Sequence, residues 1–177
     1  MRIRELRTLY TEERIARRVR EMADEINAAY AGKPLVLLCV LKGAFMFFSD
    51  LAKRITVKPE IDFVRMSSYG NCDSSSGVIS FTKDVEINIV NKHVLIVEDI
   101  VDTGTSMDFL CRLLKSRGAA SLKIAALVDK HERRCVPVNV DFAGFELPSG
   151  FIVGYGLDYA EKYRELPELC LVEVENE

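Results

Sequence analysis

The sequence has little of what marks a non-globular protein. Its 177 residues include only 10 glycines and 5 prolines, too few for a collagen-like or low-complexity chain. Hydrophobic residues make up 49% and charged residues 29%, a balance that excludes an intrinsically disordered chain. We predict a single domain over residues 1–177, because a chain of this length buries about 70% of its surface without disulfides or a structural metal.

The five cysteines contain no C-x-x-C pair, which removes support for a zinc site or for thioredoxin-like chemistry. Their number is odd and their spacing wide, so we expect a reducing, cytoplasmic setting. Cys39 and Cys170 lie inside apolar runs and are expected to be buried.

Long apolar segments are also missing. No apolar region near the first residue resembles a signal peptide, and the most apolar stretch, residues 34–48, is too short for a membrane span. We therefore expect no membrane partner. The net charge of −3 opposes a general nucleic-acid binder. Residues 1–20 carry seven Arg against three Glu, and residues 158–177 carry seven acidic against two basic residues; we interpret both ends as solvated surface.

Helical and extended patterns alternate along the chain, which predicts an α/β fold with a parallel sheet. Apolar residues three and four positions apart predict a helix over 11–31 with Thr11 as its N-cap. The run Leu35–Leu41 is apolar throughout, as is typical of a strand covered on both faces. The polar stretch 67–77 is predicted to be a mobile loop. Further helices are predicted over 43–54 and 103–117, and further strands over 61–67, 78–82, 93–97, 121–128, 138–142, 151–155 and, as an edge strand, 169–174.

The strongest functional signal is segment 94–106, in which a buried strand runs directly into Glu98 and Asp99. Ligands of open α/β sheets bind beyond the carboxyl ends of the strands, and adjacent carboxylates can bind ribose hydroxyls or Mg²⁺. The turn from Asp102 to Ser106 offers backbone N–H groups, hydroxyls and a helix N-terminus, which together suit a phosphate. The alternative is an ordinary helix start capped by Asp102 or Thr103. No Walker P-loop pattern occurs.

Segment 97–106 resembles the phosphoribosyl pyrophosphate (PRPP) motif of the type I phosphoribosyltransferases. Four more motifs, in the family's order, extend the resemblance over about residues 10–175. They are Leu41-Lys42-Gly43 for the pyrophosphate loop, Ser68-Tyr69-Gly70 for the flexible loop, Lys130 for a purine-contacting lysine, and Phe151–Tyr159 with Arg164 for the hood of hypoxanthine-guanine phosphoribosyltransferases. One departure is Ser106, where many members have Thr; the hydroxyl is kept.

The resemblance implies a twisted parallel sheet flanked by helices, with a small hood formed by about residues 1–10 and 140–177. It implies a purine salvage enzyme that transfers the 5-phosphoribosyl group of PRPP to N9 of a 6-oxopurine. The products are then IMP or GMP and pyrophosphate, the cofactor is Mg²⁺, and the assembly is a homodimer or homotetramer. The preference among hypoxanthine, guanine and xanthine stays open.

The same resemblance implies roles for individual residues. Asp102 is the general base that takes the N7 proton of the purine. The residues implied to bind PRPP or its phosphates are Leu41, Lys42, Gly43, Glu98, Asp99, Asp102, Thr103, Gly104, Thr105, Ser106 and Arg164. Those implied to bind the purine are Lys130, Phe151, Ile152 and Asp158, and those implied to bind Mg²⁺ are Glu98, Asp99 and Asp158. Ser68 and Tyr69 belong to the flexible loop, and in the family the peptide before Lys42 can be cis.

Several of these residues have simpler explanations. Lys130 begins a charged run that is typical of solvated surface, Phe151 is typical of a strand core, and Arg164 of a surface ion pair. For Tyr69 the alternative is an ordinary disordered loop. Two other functions compete: an RNA-binding regulator would use the Arg-rich residues 4–20, and a flavodoxin-like or receiver domain would leave the paired acids unexplained. The purine-hood residues favour the enzyme.

Overall fold

Two β-sheets organise residues 3–69 and 78–174, the residues described by the structure, which is a computed structural model. The helices span Glu12–Ala29 (α1), Phe45–Ala52 (α2) and Thr105–Ser116 (α3). The strands span Ile3–Tyr10 (β1), Leu35–Leu41 (β2), Glu60–Tyr69 (β3), Val78–Lys83 (β4), His93–Val101 (β5), Ser121–Lys130 (β6), Phe142–Leu147 (β7), Ile152–Val153 (β8) and Leu169–Val174 (β9). No helix in these two ranges is both long and apolar enough to cross a membrane.

The larger sheet has the strand order β4-β3-β2-β5-β6-β7. Adjacent strands in it are parallel, except for the antiparallel pair β3 and β4. Alternate residues of β2 enter two different cores. Leu37 and Cys39 pack with α1 and α2, whereas Val36 and Leu38 pack with α3. Both faces of the strand are therefore covered, which explains its unbroken apolar sequence and confirms the predicted fold class.

The smaller sheet has the order β1-β9-β8 and is antiparallel. The pattern of the sequence did not predict β1, because its pairing with β9 is irregular near both ends and its side chains do not alternate in burial. The edge strand predicted over 169–174 is instead the central strand of this sheet. Its small core contains Val153, Cys170 and Val172, and Cys39 and Cys170 are buried as predicted.

Strand β5 is longer than predicted and includes the two acids. The prediction ended it at residue 97, but β6 continues to Lys130 and supplies partners for β5 up to Val101. Glu98 pairs with Ala126 in this register. The carboxylates therefore project from a rigid strand end and not from the loop that follows it.

Helix α3 begins at Thr105, two residues later than predicted. Its N-cap is Gly104, whose φ of 83° lies in the left-handed region that glycine tolerates best. The alternative in which Asp102 or Thr103 caps the helix is therefore wrong. By contrast, the predicted N-cap of α1 is confirmed, since the hydroxyl of Thr11 accepts from the N–H of Arg14.

Other boundaries also differ from the predictions. The strand predicted over 138–142 starts only at Phe142, because Ile124 is already bonded to the main chain and carboxylate of Asp141. The strand predicted over 151–155 is reduced to β8. Residues 67–69, predicted as loop, belong to β3 because they pair with β4, while residues 70–77 lie outside the described ranges.

Candidate active site

In the acid pair at the end of β5, Glu98 is buried and Asp99 is half-buried, and neither has a cationic partner within the described part of the chain. Glu98 is 9% exposed. The N–H of Asp99 donates to Glu98 Oε1 at 3.1 Å, and the N–H of Ile100 donates to Asp99 Oδ1 at 2.8 Å. Burial, and next the negative charge of Asp99, raise the pKa of Glu98 well above its ordinary value. A cation bound here would stabilise both ionised carboxylates.

Two glycines bring the pyrophosphate-loop motif against this acid pair. A Cβ atom on Gly43 would lie 1.6 Å from Asp99 Oδ2, so a larger residue there would displace the Asp99 carboxylate. A Cβ atom on Gly156 would lie 2.0 Å from the carbonyl oxygen of Gly43. The peptide between Leu41 and Lys42 is cis. The structure therefore places the loop motif between the end of β5 and the hood.

A cavity of about 200 Å³ lies over the turn that enters α3. Its lining comprises Glu98, Asp99, Ile100, Val101, Asp102, Thr103, Gly104, Ser106 and Met107. Thr105 is the first residue of α3, and its N–H donates to the hydroxyl of Thr103 at 3.4 Å. The main-chain N–H groups at a helix N-terminus favour an anion such as phosphate.

A second cavity, of about 190 Å³, adjoins the first. Its lining comprises Asp99, Ile100, Asp102, Lys130, Gly150, Phe151, Ile152, Leu157 and Asp158. The two cavities share Asp99, Ile100 and Asp102. The residues predicted to bind purine therefore meet six of those predicted to bind PRPP, whereas the lining of neither cavity includes the other five, Leu41, Lys42, Gly43, Thr105 and Arg164.

Lys130 and Asp102 face each other across this second cavity. Lys130 is only 7% exposed, so the interpretation of its surroundings as solvated surface is wrong for this residue. Its Nζ lies 3.8 Å from Asp102 Oδ2 and 3.5 Å from the carboxylate of Glu132. Asp102 Oδ1 is buried and has no hydrogen-bond partner among the described residues. An unsatisfied buried acceptor costs about 1–3 kcal/mol, which a ligand that donates a proton would recover.

Phe151 is 48% exposed, so it is not a core residue of a strand. Its ring meets that of Tyr159 edge-on at 5.7 Å between centroids. Ile152 is buried in β8 opposite Leu171. The hood thus presents an aromatic ring to the cavity that contains Lys130.

Charged residues of the hood pair with one another. Arg164 donates to the carbonyl of Gly156 at 2.7 Å and forms ion pairs with Asp158 at 2.7 Å and Glu161 at 3.5 Å. Lys42 Nζ lies 2.6 Å from the same Glu161 carboxylate, which therefore links the two predicted pyrophosphate-binding cations. The described residues contain no cluster of three metal-ligating side chains, so Asp158 does not form a closed cage with Glu98 and Asp99, although it shares a cavity with Asp99.

The sequence analysis missed three residues of this region. Arg134 lies under the turn at Asp102, Glu161 bridges Lys42 and Arg164, and the hydroxyl of Tyr155 donates to Asp50 Oδ2 at 2.6 Å, tying the hood to α2. Arg134 and Glu161 sit in charged runs that look like ordinary surface. Burial raises the pKa of Tyr155 well above its usual range, with the bonded Asp50 adding to the shift. No pattern in the sequence marks these contacts.

The chain matches known proteins over nearly all of its length. Residues 6–160 match the phosphoribosyl transferase domain family. The chain is 43% identical over 164 residues to the hypoxanthine phosphoribosyltransferase of Buchnera aphidicola subsp. Schizaphis graminum (92% of this chain, 93% of that protein). It is 43% identical over 161 residues to the hypoxanthine-guanine phosphoribosyltransferase of Bacillus subtilis (91% and 89%).

Two further matches concern architecture. A crystal structure of a hypoxanthine phosphoribosyltransferase from Staphylococcus aureus superposes with a TM-score of 0.90 at 43% identity, covering 97% of this chain and 92% of that one. The chain is also 42% identical over 169 residues to the bifunctional protein TilS/HprT of Listeria innocua, but spans 26% of that protein's length. The resemblance that the five sequence motifs predicted is therefore confirmed, and the chain belongs to the phosphoribosyl transferase family.

Proposed function

We propose that this chain transfers the 5-phosphoribosyl group of PRPP to N9 of hypoxanthine or guanine, forming IMP or GMP and pyrophosphate in purine salvage. The observation that carries this proposal is the pair of adjoining cavities that share Asp99, Ile100 and Asp102. One cavity offers a helix N-terminus for a phosphate, and the other offers Lys130 and Phe151 for a base. The shared residues then lie beside the ribose, where the bond is exchanged.

In this reaction N9 forms a bond to C1′ while the C1′–O bond to pyrophosphate breaks and its electron pair leaves with the oxygen. The N7 proton of the purine goes to Asp102, whose buried Oδ1 is available as an acceptor. Lys130 donates to O6, and Phe151 stacks on the base. Ile152 contacts the base through its main chain, and Asp158 lies at the rim of the same cavity.

Pyrophosphate is bound on the hood side by the motif Leu41-Lys42-Gly43 and by Arg164. The Nε of Arg164 is buried without a hydrogen-bond partner among the described residues, which leaves one donor for a phosphate oxygen. On the other side, Thr103, Gly104, Thr105 and Ser106 bind the 5′-phosphate of the ribose. Ser68 and Tyr69, the last two residues of β3, belong to the flexible-loop motif that covers the reacting atoms and excludes water in this proposal; the rest of the motif lies outside the described residues.

Magnesium is required because side-chain charge alone does not hold PRPP. The proposed site contains three basic and four acidic side chains, a sum of −1: Lys42, Lys130 and Arg164 against Glu98, Asp99, Asp102 and Asp158. Mg²⁺ usually binds one or two carboxylates together with substrate oxygens, and the acid pair at the end of β5 fits that donor set. When bound, the ion neutralises the charge that develops on the leaving pyrophosphate.

The RNA-binding alternative finds less support. Arg18 is held by the carbonyls of Ala143 and Gly144 and by Glu21 and Glu25, so it is not presented as a free basic surface. Arg7 pairs with Glu173. A nucleic-acid site needs such groups free for phosphates.

The test is release of pyrophosphate from PRPP with hypoxanthine, guanine or xanthine, measured with and without an excess of a magnesium chelator. We expect turnover with hypoxanthine and guanine that collapses in the chelator. No release with any of the three purines contradicts the proposal, and full turnover in the chelator contradicts the role of Mg²⁺.

We also propose a cytoplasmic homodimer or homotetramer, built from a single domain whose hood comprises about residues 1–10 and 140–177. The sheet β1-β9-β8 supports the hood, because it joins the two ends of the chain. Exposed Phe45, Ile61 and Val90 provide apolar surface for contacts between subunits. Size-exclusion chromatography with light scattering measures the mass of the assembly. A monomer at micromolar protein concentration contradicts the proposed homodimer or homotetramer.

A further inference from the structure

Arg134 lies four residues after Lys130, in the segment that leaves β6, and its side chain is only 16% exposed. Among the residues around the site it has an unusual number of partners. Its guanidinium donates to the carbonyls of Val101 (3.0 Å), Asp102 (2.8 Å), Lys130 (3.0 Å) and Val138 (3.1 Å) and to the carboxylate of Asp129. Four of these partners are main-chain carbonyls, and the fifth, Asp129, is not among the residues proposed to bind substrate.

These bonds join the ends of two neighbouring strands. Val101 is the last residue of β5 and Asp102 follows it, whereas Asp129 and Lys130 are the last two residues of β6. Main-chain bonds between the strands stop at the pair Val101 and Asp129, so beyond that point the ladder no longer sets their separation. Beyond the ladder, the guanidinium group of Arg134 connects the two segments, at the residues that carry the side chains of Asp102 and Lys130.

The segment after Arg134 reinforces the same connection. The N–H groups of Cys135 and Val136 donate to the carbonyl of Thr103 at 2.9 and 3.1 Å. A Cβ atom on Gly104 would lie 2.6 Å from the carbonyl oxygen of Val136, so the phosphate turn rests directly on this segment. Displacing Arg134 would therefore loosen the backbone of Asp102 and of the turn that follows it.

Arginine is needed here because only its planar fork of five N–H donors reaches several acceptors at fixed angles. A lysine retains the charge opposite Asp129 but satisfies fewer of the four carbonyls. Asp129 is 9% exposed and compensates the buried positive charge.

We propose that Arg134 is a positioning residue that fixes the spacing between Asp102 and Lys130, and thereby between the group that takes the N7 proton and the group that donates to O6. It does not touch the substrates. This inference rests on the proposed function, since it assigns a kinetic consequence to Arg134 in that reaction.

The test is a double-mutant cycle on the KM for hypoxanthine, using Arg134→Lys, Lys130→Ala and the double variant. If Arg134 acts through Lys130, Arg134→Lys raises this KM roughly tenfold in the wild-type background and less than about twofold once Lys130 is alanine. A residue that only stabilises the fold gives the same fold-change in both backgrounds, and that result overturns the proposal. Unchanged kinetics in Arg134→Lys also overturn it.

The matched control is Arg117→Lys. Arg117 is also paired with a carboxylate, since its guanidinium donates to the two oxygens of Asp84 at 2.7 and 2.6 Å. It lies at the opposite end of α3 from the phosphate turn. We expect its kinetics to equal those of the wild type even if its melting temperature falls. If Arg134→Lys does not fold at the assay temperature, Asp129→Asn decides: it removes the anion that holds Arg134 and must show the same non-additive rise in KM, on a smaller scale.

Failure of this inference is distinguishable from failure of the proposed function. If the wild-type protein turns over hypoxanthine but the effects of Arg134→Lys and Lys130→Ala are additive, only the role of Arg134 is rejected. Absence of wild-type turnover with any 6-oxopurine rejects both.

Discussion

The two sides of the candidate site hold their charges in different ways. On the strand side, Glu98 and Lys130 are buried to 9% and 7% exposure; Glu98 accepts from the main-chain N–H of Asp99, and the carbonyl of Lys130 accepts from Arg134. On the hood side, the side chains of Lys42 and Glu161 are 44% and 65% exposed and are held chiefly by each other. The strand side is therefore organised before substrate arrives, whereas the hood side must exchange one ion pair for another when pyrophosphate binds.

This difference predicts where the site is sensitive to salt and where it is not. Exposed ion pairs are screened by salt and contribute about 0–1 kcal/mol, while buried charges are screened much less. Substitutions on the strand side should change turnover or purine affinity strongly, and substitutions of the hood pair should change PRPP affinity weakly. The following predictions test this contrast from its strongest to its weakest effect.

Replacing Asp102 with asparagine should lower kcat by roughly 10²–10⁴, because the amide cannot take the N7 proton. The fold should stay intact, since Asp102 does not cap α3. Steady-state kinetics and a thermal melt measure the two effects. Asp108→Asn is the control: it removes a similarly exposed carboxylate on α3 whose one ion pair among the described residues is with Arg112. Wild-type turnover in Asp102→Asn would rule out the assignment.

Replacing Lys130 with alanine should raise the KM for purine roughly five- to a hundredfold, because a buried donor to O6 is lost. The KM for PRPP should change far less. Lys123→Ala, on the same strand but beside Asp141 and Phe142, should leave both constants unchanged. Equal rises in both KM values for Lys130→Ala would contradict a purine-specific role.

Replacing Glu98 with glutamine should stabilise the unliganded chain at neutral pH while impairing turnover. A carboxyl whose pKa is raised by folding makes the folded state lose stability as pH rises through its unfolded value toward its folded one. Glutamine removes this loss, so the melting temperature should rise near pH 7.

The gain should vanish below the ordinary glutamate value of 4.5, where both states are protonated. Thermal melts across a pH series measure it, with the exposed Glu165→Gln as the control that shows no such trend. A lower melting temperature at neutral pH would show that the buried charge has a stabilising partner.

Replacing Glu161 with glutamine should lower the KM for PRPP about two- to fivefold, because a carboxylate no longer competes for Lys42 and Arg164. Lys42, as the principal cause, lowers the pKa of Glu161, so this competing charge persists throughout the neutral range. The effect should disappear at high salt. Glu165→Gln makes the same charge change nearby and should have no effect; a KM that does not move, or that rises, would show that Glu161 does not compete.

Much of the site could be predicted from the sequence because its residues lie in short continuous segments. The acid pair and the turn that follows occupy positions 98–106, so local pattern alone indicated their chemistry. The contacts that position the site residues could not be predicted from the sequence. Arg134 contacts Asp102 from 32 positions away, and Glu161 contacts Lys42 from 119 positions away. Both look like ordinary surface charges until the chain is folded.

The fold divides in the same way. Strand β2 is apolar throughout, and β5 is apolar from Val94 to Val97, because both faces are covered there, and that local signal was sufficient. Strand β1 has no such signal, since it is defined only by its pairing with β9. The residues of the sheet core and of the phosphate turn were thus determined by the sequence itself, through side-chain polarity and backbone freedom. Which charges are buried, and which cation faces which anion, was decided only by the tertiary structure, because burial and ion pairing depend on segments that are distant along the chain.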